Sequence, residues 1–445
     1  MVRGTECGFA RSKAGFGSFR SRFLLAALFV VSAACRPGGP QSERLSVLLI
    51  TLDTTRADCV APTGGEVRVT PHLQALGERS AVFTHAVSET NITNPSHLSI
   101  MSGLRAIEHG VIDNQTLVPP EVDTLAEAMK RAGYRTAGVP AVRHVGSDMG
   151  WRAFDLLLGV EEEVDAREVT DRTLAWLQRI DDSAFFLWVH YFDPHTDYEP
   201  PPQIAARFVR REAGKPKHDP GWYDRALYAA EIHFVDRHIG RLLAELERSH
   251  RTDDTVVVVV ADHGESLGEH EIVNRHIGLY EPQLRIPLIF HVPGLPPSRS
   301  DAWARTLDVA PTIGELTDVR FRHQPSGRSL VPLLRGGTDT IFSTTPVLIY
   351  QHAHNHAAAV RQGPWKLIWP ISLEHPVHSD GPELYHLGDD PGELTNLAAA
   401  KPEQVQDLRR LLQPWIDLGQ VEHGDTVHLP AAALEQLRAL GYLDD

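Results

Sequence analysis

From residue 46 onward the chain alternates between unbroken apolar runs and segments of helical period. Ser46 to Leu52, Ala184 to Tyr191, Thr255 to Ala261 and Ile286 to Val292 are β-branched, aliphatic or aromatic almost throughout, which is how strands buried on both faces of a sheet read. Thr124 to Arg131, Ala166 to Ile180 and Tyr223 to Glu247 instead return apolar residues at helical spacing. Strands and helices in alternation predict an α/β sandwich. After residue 335 the runs shorten: Pro346 to Tyr350 and Ala358 to Trp369 predict strands, Pro402 to Ile416 a helix, and Ala431 to Leu440 a short amphipathic helix. The expected layout is a large α/β domain over residues 45–335, a small α+β subdomain over 336–425 and a helical tail over 426–445.

The first 35 residues follow another logic. Arg11, Lys13, Arg20 and Arg22 precede the apolar run Phe23 to Ala34, which has the length of a signal-peptide core and falls short of a bilayer span. The run closes on Val31-Ser32-Ala33-Ala34-Cys35. That sequence resembles a bacterial lipobox with Cys35 as the lipidated residue, and residues 36–44, rich in Pro, Gly and Ser, read as a flexible tether. Residues 1–35 are expected to direct export, and the protein to sit in the bacterial cell envelope, periplasm or outer membrane, held to a membrane by a lipid on Cys35. Of the other two cysteines, Cys7 would leave with the signal, so Cys59 is not expected in a disulfide.

Composition narrows the partners. The formal net charge of −15 argues against nucleic acid, whose phosphates are met by an excess of Lys and Arg. An anionic small substrate needs local positive charge, which a metal and some of the 24 histidines could supply.

Polar residues follow the apolar strands at once, at Asp53, at His190 to His195 and at Asp262 to His263, where open sheets place ligands beyond the carboxyl ends of their strands. Asp53 alone is a weak signal, since an Asp after a strand often caps a turn. Asp262-His263 is stronger. Five consecutive valines, Val256 to Val260, lead into adjacent oxygen and imidazole donors of the kind that hold a divalent cation. In Thr93-Asn94-Pro95-Ser96-His97, Pro95 fits the first turn of a helix and puts Thr93 at its N-terminus. There Thr93 is either an ordinary cap or a hydroxyl placed where unpaired amides favour an anion. Asp193, Asp197 and several histidines offer donors for a second metal, with nothing to fix their geometry. His352, His354 and His356 would share one face of a strand, lining the cleft, binding metal separately or, more simply, standing on a solvated edge.

Together these elements resemble the sulfatase family of the alkaline phosphatase superfamily. Ordered matches run along nearly the whole chain: Thr70-Pro71-His72-Leu73, Asp193-Pro194-His195, Gly278 to Glu281 with Arg285-Ile286-Pro287-Leu288, and Asp308 to Thr312. The closing run Glu383 to Leu387, then Asp390-Pro391 and Glu393 to Leu397, adds a further match. The resemblance implies an alkaline phosphatase-like sandwich, with a large central mixed sheet flanked by helices and a small C-terminal α+β subdomain. It implies one divalent metal on Asp53, Asp262 and His263, with Thr93 as nucleophile and metal-bound hydroxyl. His195 and His276 fall where the family binds ester oxygens or protonates the leaving group; the blander readings are a capped loop and a surface histidine. His97 falls on the position of a family Arg and is carried over as substrate-binding, and His144 is a poorer match to another substrate-binding histidine.

The chain also departs from that family. Sulfatases convert a Cys or Ser within Cys/Ser-x-Pro-Ser-Arg to formylglycine. Oxidising Thr93 would give a ketone in place of the aldehyde, so this modification is chemically excluded. Thr54 replaces a second aspartate and His263 an Asn that many sulfatases carry, a change that favours Mn²⁺ or Zn²⁺ over Ca²⁺. The expected function is a metal-dependent hydrolase of a sulfate or phosphate ester borne by a small molecule, glycan or lipid. A phosphodiesterase, a phosphoryl-group transferase or a non-catalytic binding protein of the same fold stand as alternatives.

Overall fold

The computed structural model describes residues 44–213, 221–338, 347–351, 357–371 and 381–419. The leader with Cys35, the tether up to residue 43, the histidines at 352, 354 and 356, and the tail from 420 lie outside the described residues. No helix among the described residues is long and apolar enough to cross a membrane.

In chain order the strands are β1 (Ser46–Leu52), β2 (Ala81–Val87), β3 (Arg135–Pro140), β4 (Leu156–Leu157), β5 (Phe185–Tyr191), β6 (Thr255–Ala261) and β7 (Ser266–Leu267). Then come β8 (Val273–Arg275), β9 (Arg285–His291), β10 (Ser298–Arg305), β11 (Val347–Gln351), β12 (Ala357–Gln362), β13 (Trp365–Pro370) and β14 (Glu383–His386). Eight form the main sheet in the order β10-β2-β9-β6-β1-β5-β3-β4. It is a mixed sheet: β9 runs antiparallel to both of its neighbours, β2 and β6, while the other pairings are parallel. Every residue of β1, β5 and β6 is buried, because these strands lie at the centre with helices over both faces.

Alternation along β5 shows the two layers. Trp188 and His190 point toward the helix Thr93–Ser102, with the Trp188 and His97 rings 5.9 Å apart. Tyr191 points the other way and shares a 2.7 Å hydrogen bond with Thr170 of the helix Ala166–Leu177, as successive strand residues must face opposite sides. The long helix Trp222–Arg248 packs on that second face against Ala166–Leu177.

The expected strand Ala358 to Trp369 is a hairpin. Gly363, at φ 56°, turns β12 back on β13, a left-handed conformation that glycine adopts without steric cost. With β11 and β14 it forms an antiparallel sheet of four strands, covered by the helix Pro402–Gly419. This small sheet grips the large one through charge. Lys366, fully buried, lies 3.1 Å from Glu281 and 2.7 Å from Glu393, and Arg361 lies 2.8 Å from Glu281. The two cations hold the Glu281 carboxyl down near a pKa of about 2 against the upward pull of burial.

Removing one member of such a buried cluster strands the charges that remain. Lys366→Met is expected to destabilise the fold by about 3 kcal/mol, read as a lower midpoint in urea unfolding; an unchanged midpoint would show that the cluster does not join the two sheets.

Candidate active site

The site follows from register. β1 and β6 are parallel neighbours with Leu52 opposite Ala261, so the next residue on each strand, Asp53 and Asp262, must come together at one sheet edge. The amide of Asp53 donates to the Tyr191 carbonyl at 2.9 Å and that of Asp262 to the Leu52 carbonyl at 3.2 Å, which ties both strand ends to their neighbours. Asp53, Asp262 and His263 then offer ligand atoms within 4.8 Å of one another, all fully buried.

The residues around this trio fit a divalent cation. Neither carboxylate oxygen of Asp53, nor Oδ2 of Asp262, has a hydrogen-bond partner, although buried acceptors ordinarily do. Burial, and then the charge of Asp262, raise the Asp53 carboxyl well above its ordinary range. Asp262 is pushed to about 8 by burial, even though its Oδ1 accepts from the amides of His263 at 2.7 Å and Thr54 at 3.1 Å. Two carboxylates in one dry place are stable as anions only beside a cation. The His263 Nδ1 donates to the Gly264 carbonyl at 3.0 Å, so Nε2 carries the lone pair a metal needs. Gly264 is required there, since a Cβ would stand 2.1 Å from the Pro282 carbonyl oxygen.

Thr93 enters from the helix Thr93–Ser102, whose first residue it is. Its Oγ1 lies 3.3 Å from His263 Nε2, so the sequence-derived nucleophile and metal trio share one site. Ser96 fixes the approach by donating to the Asp262 carbonyl at 2.7 Å, and Asn94 by donating its main-chain amide to Asn114 Oδ1 at 2.9 Å and its side-chain amide to the Asn114 carbonyl at 3.1 Å. Thr54, beside Asp53, is held at φ 43°, a costly conformation for a β-branched residue. Its carbonyl accepts from Tyr228 at 2.6 Å, which stabilises the turn.

His195 and His276 lie on the open side. The His276 ring is 4.4 Å from that of His263 and 5.9 Å from that of His195. His195 Nδ1 donates to the Thr196 carbonyl and His276 Nδ1 to the Asn91 carbonyl, so each ring keeps Nε2 as its proton acceptor. Burial lowers His195 to about 4, which keeps it neutral near pH 7. Both line a cavity of about 970 Å³ that Asp193 and Asp197 also line. Neither of those aspartates joins a group of three close metal donors among the described residues.

His97 takes a different place from the one its sequence position suggests. It lies beneath Thr93, fully buried, with Nδ1 donating to the Thr93 carbonyl at 2.9 Å and 3.6 Å from Asp262 Oδ2. Its Nε2 is 3.3 Å from both Thr51 Oγ1 and His190 Nδ1, and Trp188 Nε1 donates to Thr51 at 2.9 Å. These contacts make His97 a support of the Thr93 backbone, and it does not line the cavity beside the site. Burial keeps His97 near 4 and His190 well below its ordinary value. His190, whose Nε2 is 3.6 Å from Asp53 Oδ2, opens the polar stretch at the end of β5 that the strand pattern marks as a place for ligands. His144 is buried edge-on to Phe192 at 5.8 Å, and burial and His195 lower it to about 3.

Comparison with known proteins places this geometry. The sulfatase family model matches residues 46–319, and a model described as N-sulphoglucosamine sulphohydrolase, C-terminal, matches residues 268–417. A choline-sulfatase of Rhizobium meliloti is 24% identical over 432 residues, covering 79% of this chain and 82% of the relative. A Delta 4,5-hexuronate-2-O-sulfatase of Bacteroides thetaiotaomicron is 23% identical, covering 82% and 87%. Among solved structures, the phosphonate monoester hydrolase of Agrobacterium radiobacter superposes with a TM-score of 0.72 at 19% identity, covering 87% of this chain and 100% of that one. With the family model spanning more than half of its length and the same mixed-sheet fold, the chain belongs to the sulfatase family and is an ester hydrolase.

Proposed function

We infer that this protein hydrolyses a sulfate or phosphate ester by direct attack of Thr93 at a site holding one divalent metal. The observation that carries the reading is the 3.3 Å approach of Thr93 Oγ1 to His263 Nε2, beside two buried carboxylates of which both Asp53 oxygens and Asp262 Oδ2 lack hydrogen-bond partners. Asp53, Asp262, His263 and the Thr93 hydroxyl would hold the metal, with Mn²⁺ or Zn²⁺ better suited than Ca²⁺ to a set containing imidazole. When bound, it supplies Lewis acidity that polarises the ester and lowers the hydroxyl pKa.

The chain's own groups do the rest. Thr93 Oγ1 forms a bond to sulfur or phosphorus as the bond to the alcohol oxygen breaks. Nε2 of His195, which burial keeps neutral, or Nε2 of His276 takes the hydroxyl proton and passes it to the departing alkoxide. Water then releases the esterified Thr93. His97, through the Thr93 carbonyl, holds the nucleophile's backbone in line. A threonine ester has no second hydroxyl with which to expel sulfate, and this chemistry favours phosphorus. The relatives named for sulfate esters of choline and of a hexuronate support a small-molecule or glycan substrate. The apolar leader and Cys35 support a place in the cell envelope, with a lipid as the membrane link.

Wild-type protein, made without a formylglycine-generating enzyme, is expected to turn over a nitrophenyl phosphate or phosphodiester faster than nitrophenyl sulfate. Thr93→Ala should lower that rate by roughly three orders of magnitude or more, while Thr93→Ser keeps a measurable part. Sulfate-ester turnover that survives Thr93→Ala would place the chemistry elsewhere. In a thermal-shift series, Mn²⁺ or Zn²⁺ should raise the melting temperature of wild-type protein and leave Asp53→Asn unmoved, since only a folded site binds; an equal shift in the variant would remove the metal trio. Cys35→Ala should move the full chain from salt-washed membranes to the soluble fraction, and retention on membranes would refute the lipid link.

A further inference from the structure

The cavity beside the metal trio has a charge that an anionic ester alone does not explain. Seven carboxylates line it against two guanidinium groups, Arg167 and Arg275, and both arginines stand at its exposed rim. The carboxylates reach to its floor. Glu265 is fully buried; Tyr198 donates to one of its oxygens, and the other, Oε1, has no hydrogen-bond partner. Asp193 uses Oδ1 to accept the Ala166 amide at 2.8 Å, and its Oδ2 is shielded from solvent with no partner. Glu231, on the buried face of the helix Trp222–Arg248, joins them, and burial and then Asp193 raise it to about 9. His195 and His276 line the same cavity, so this acidic floor adjoins the position the leaving group would take.

We propose that the cavity binds a protonated primary amine on the alcohol side of the ester, an aminoalkyl or amino-sugar group. The inference rests on the ester-hydrolase reading and adds the class of its substrate. Buried carboxylate oxygens without partners call for a cation that also donates hydrogen bonds, and charge-assisted bonds to such oxygens are among the strongest available. A primary ammonium has three N–H donors. A quaternary ammonium has none and would leave Glu265 Oε1 and Asp193 Oδ2 unsatisfied. The volume of about 970 Å³ accommodates a small molecule or a sugar.

The test compares kcat/KM for three esters that differ only in this group: 2-aminoethyl, propyl and 2-(trimethylammonio)ethyl, each as phosphate and as sulfate. The aminoethyl ester should exceed both others by at least about tenfold, the factor expected of one charge-assisted bond. Glu231→Gln should bring its ratio to the propyl ester close to one, and Glu199→Gln, at the exposed rim, should lower it by less. Equal values in wild-type protein, a ratio unmoved by Glu231→Gln, or a trimethylammonio ester as good as the aminoethyl one would each overturn the proposal. If neither phosphate nor sulfate esters turn over, the hydrolase reading fails separately, and calorimetric titration with ethanolamine decides the amine site. Binding weakened at least tenfold in Glu231→Gln supports it; no binding, or displacement of ethanolamine by Ca²⁺, overturns it.

Discussion

Two carboxylates are forced into one dry corner by the pairing of two parallel strands, and the rest of the site is arranged around that conflict. With Leu52 set against Ala261, Asp53 and Asp262 cannot separate without breaking the centre of the sheet. The protein answers with groups that stabilise negative charge or bring a cation. Main-chain amides of Thr54 and His263 point at Asp262, the Gly264 carbonyl turns the His263 lone pair inward, and the Thr54 backbone accepts a strained conformation. Repulsion that would unfold a site without metal becomes affinity for one that binds it.

Beneath Thr93 lies a patch of neutral rings. Burial strips His97 of charge, and Trp188, Thr51 and His190 enclose it through directed hydrogen bonds. His97 is a hydrogen-bonded prop under the Thr93 carbonyl. With these rings neutral, the amides at the start of the helix and a cation on the carboxylate pair are the sources of positive potential near Thr93.

The sequence was most legible where burial on both faces leaves no polar residue to blur the pattern. β1 was read to the residue, and β5, β6 and β9 to within a residue at either end, since their neighbours demand an unbroken apolar run. β10 was not read: Ser298–Arg305 pairs on one side only, and its sequence is correspondingly half polar. The hairpin at Gly363 passed for one long strand because its turn is as short as a strand irregularity. In the site, Asp53, Asp262, His263 and Thr93 were legible since each ends a strand or starts a helix. Thr51 and Trp188 were not, because a polar atom inside a strand declares its purpose only when a partner 46 to 137 positions away in the chain is brought alongside. Glu231 was hidden for the complementary reason, since a glutamate within a long helix looks like solvated surface.

The small sheet bears on the order in which the molecule becomes active. Glu281 sits in the segment whose Gln283 carbonyl accepts the Gly264 amide at 2.7 Å, one residue from His263. That segment is clamped by Arg361 and Lys366 from the small sheet. Until those two residues are made and folded, Glu281 has only Arg285 of its neighbouring cations, and the loop carrying His263 lacks its backing. A chain growing from its N-terminus therefore has the trio's residues long before it has a rigid trio. The rigidity of the ligand set thus depends on contacts that the last third of the chain supplies.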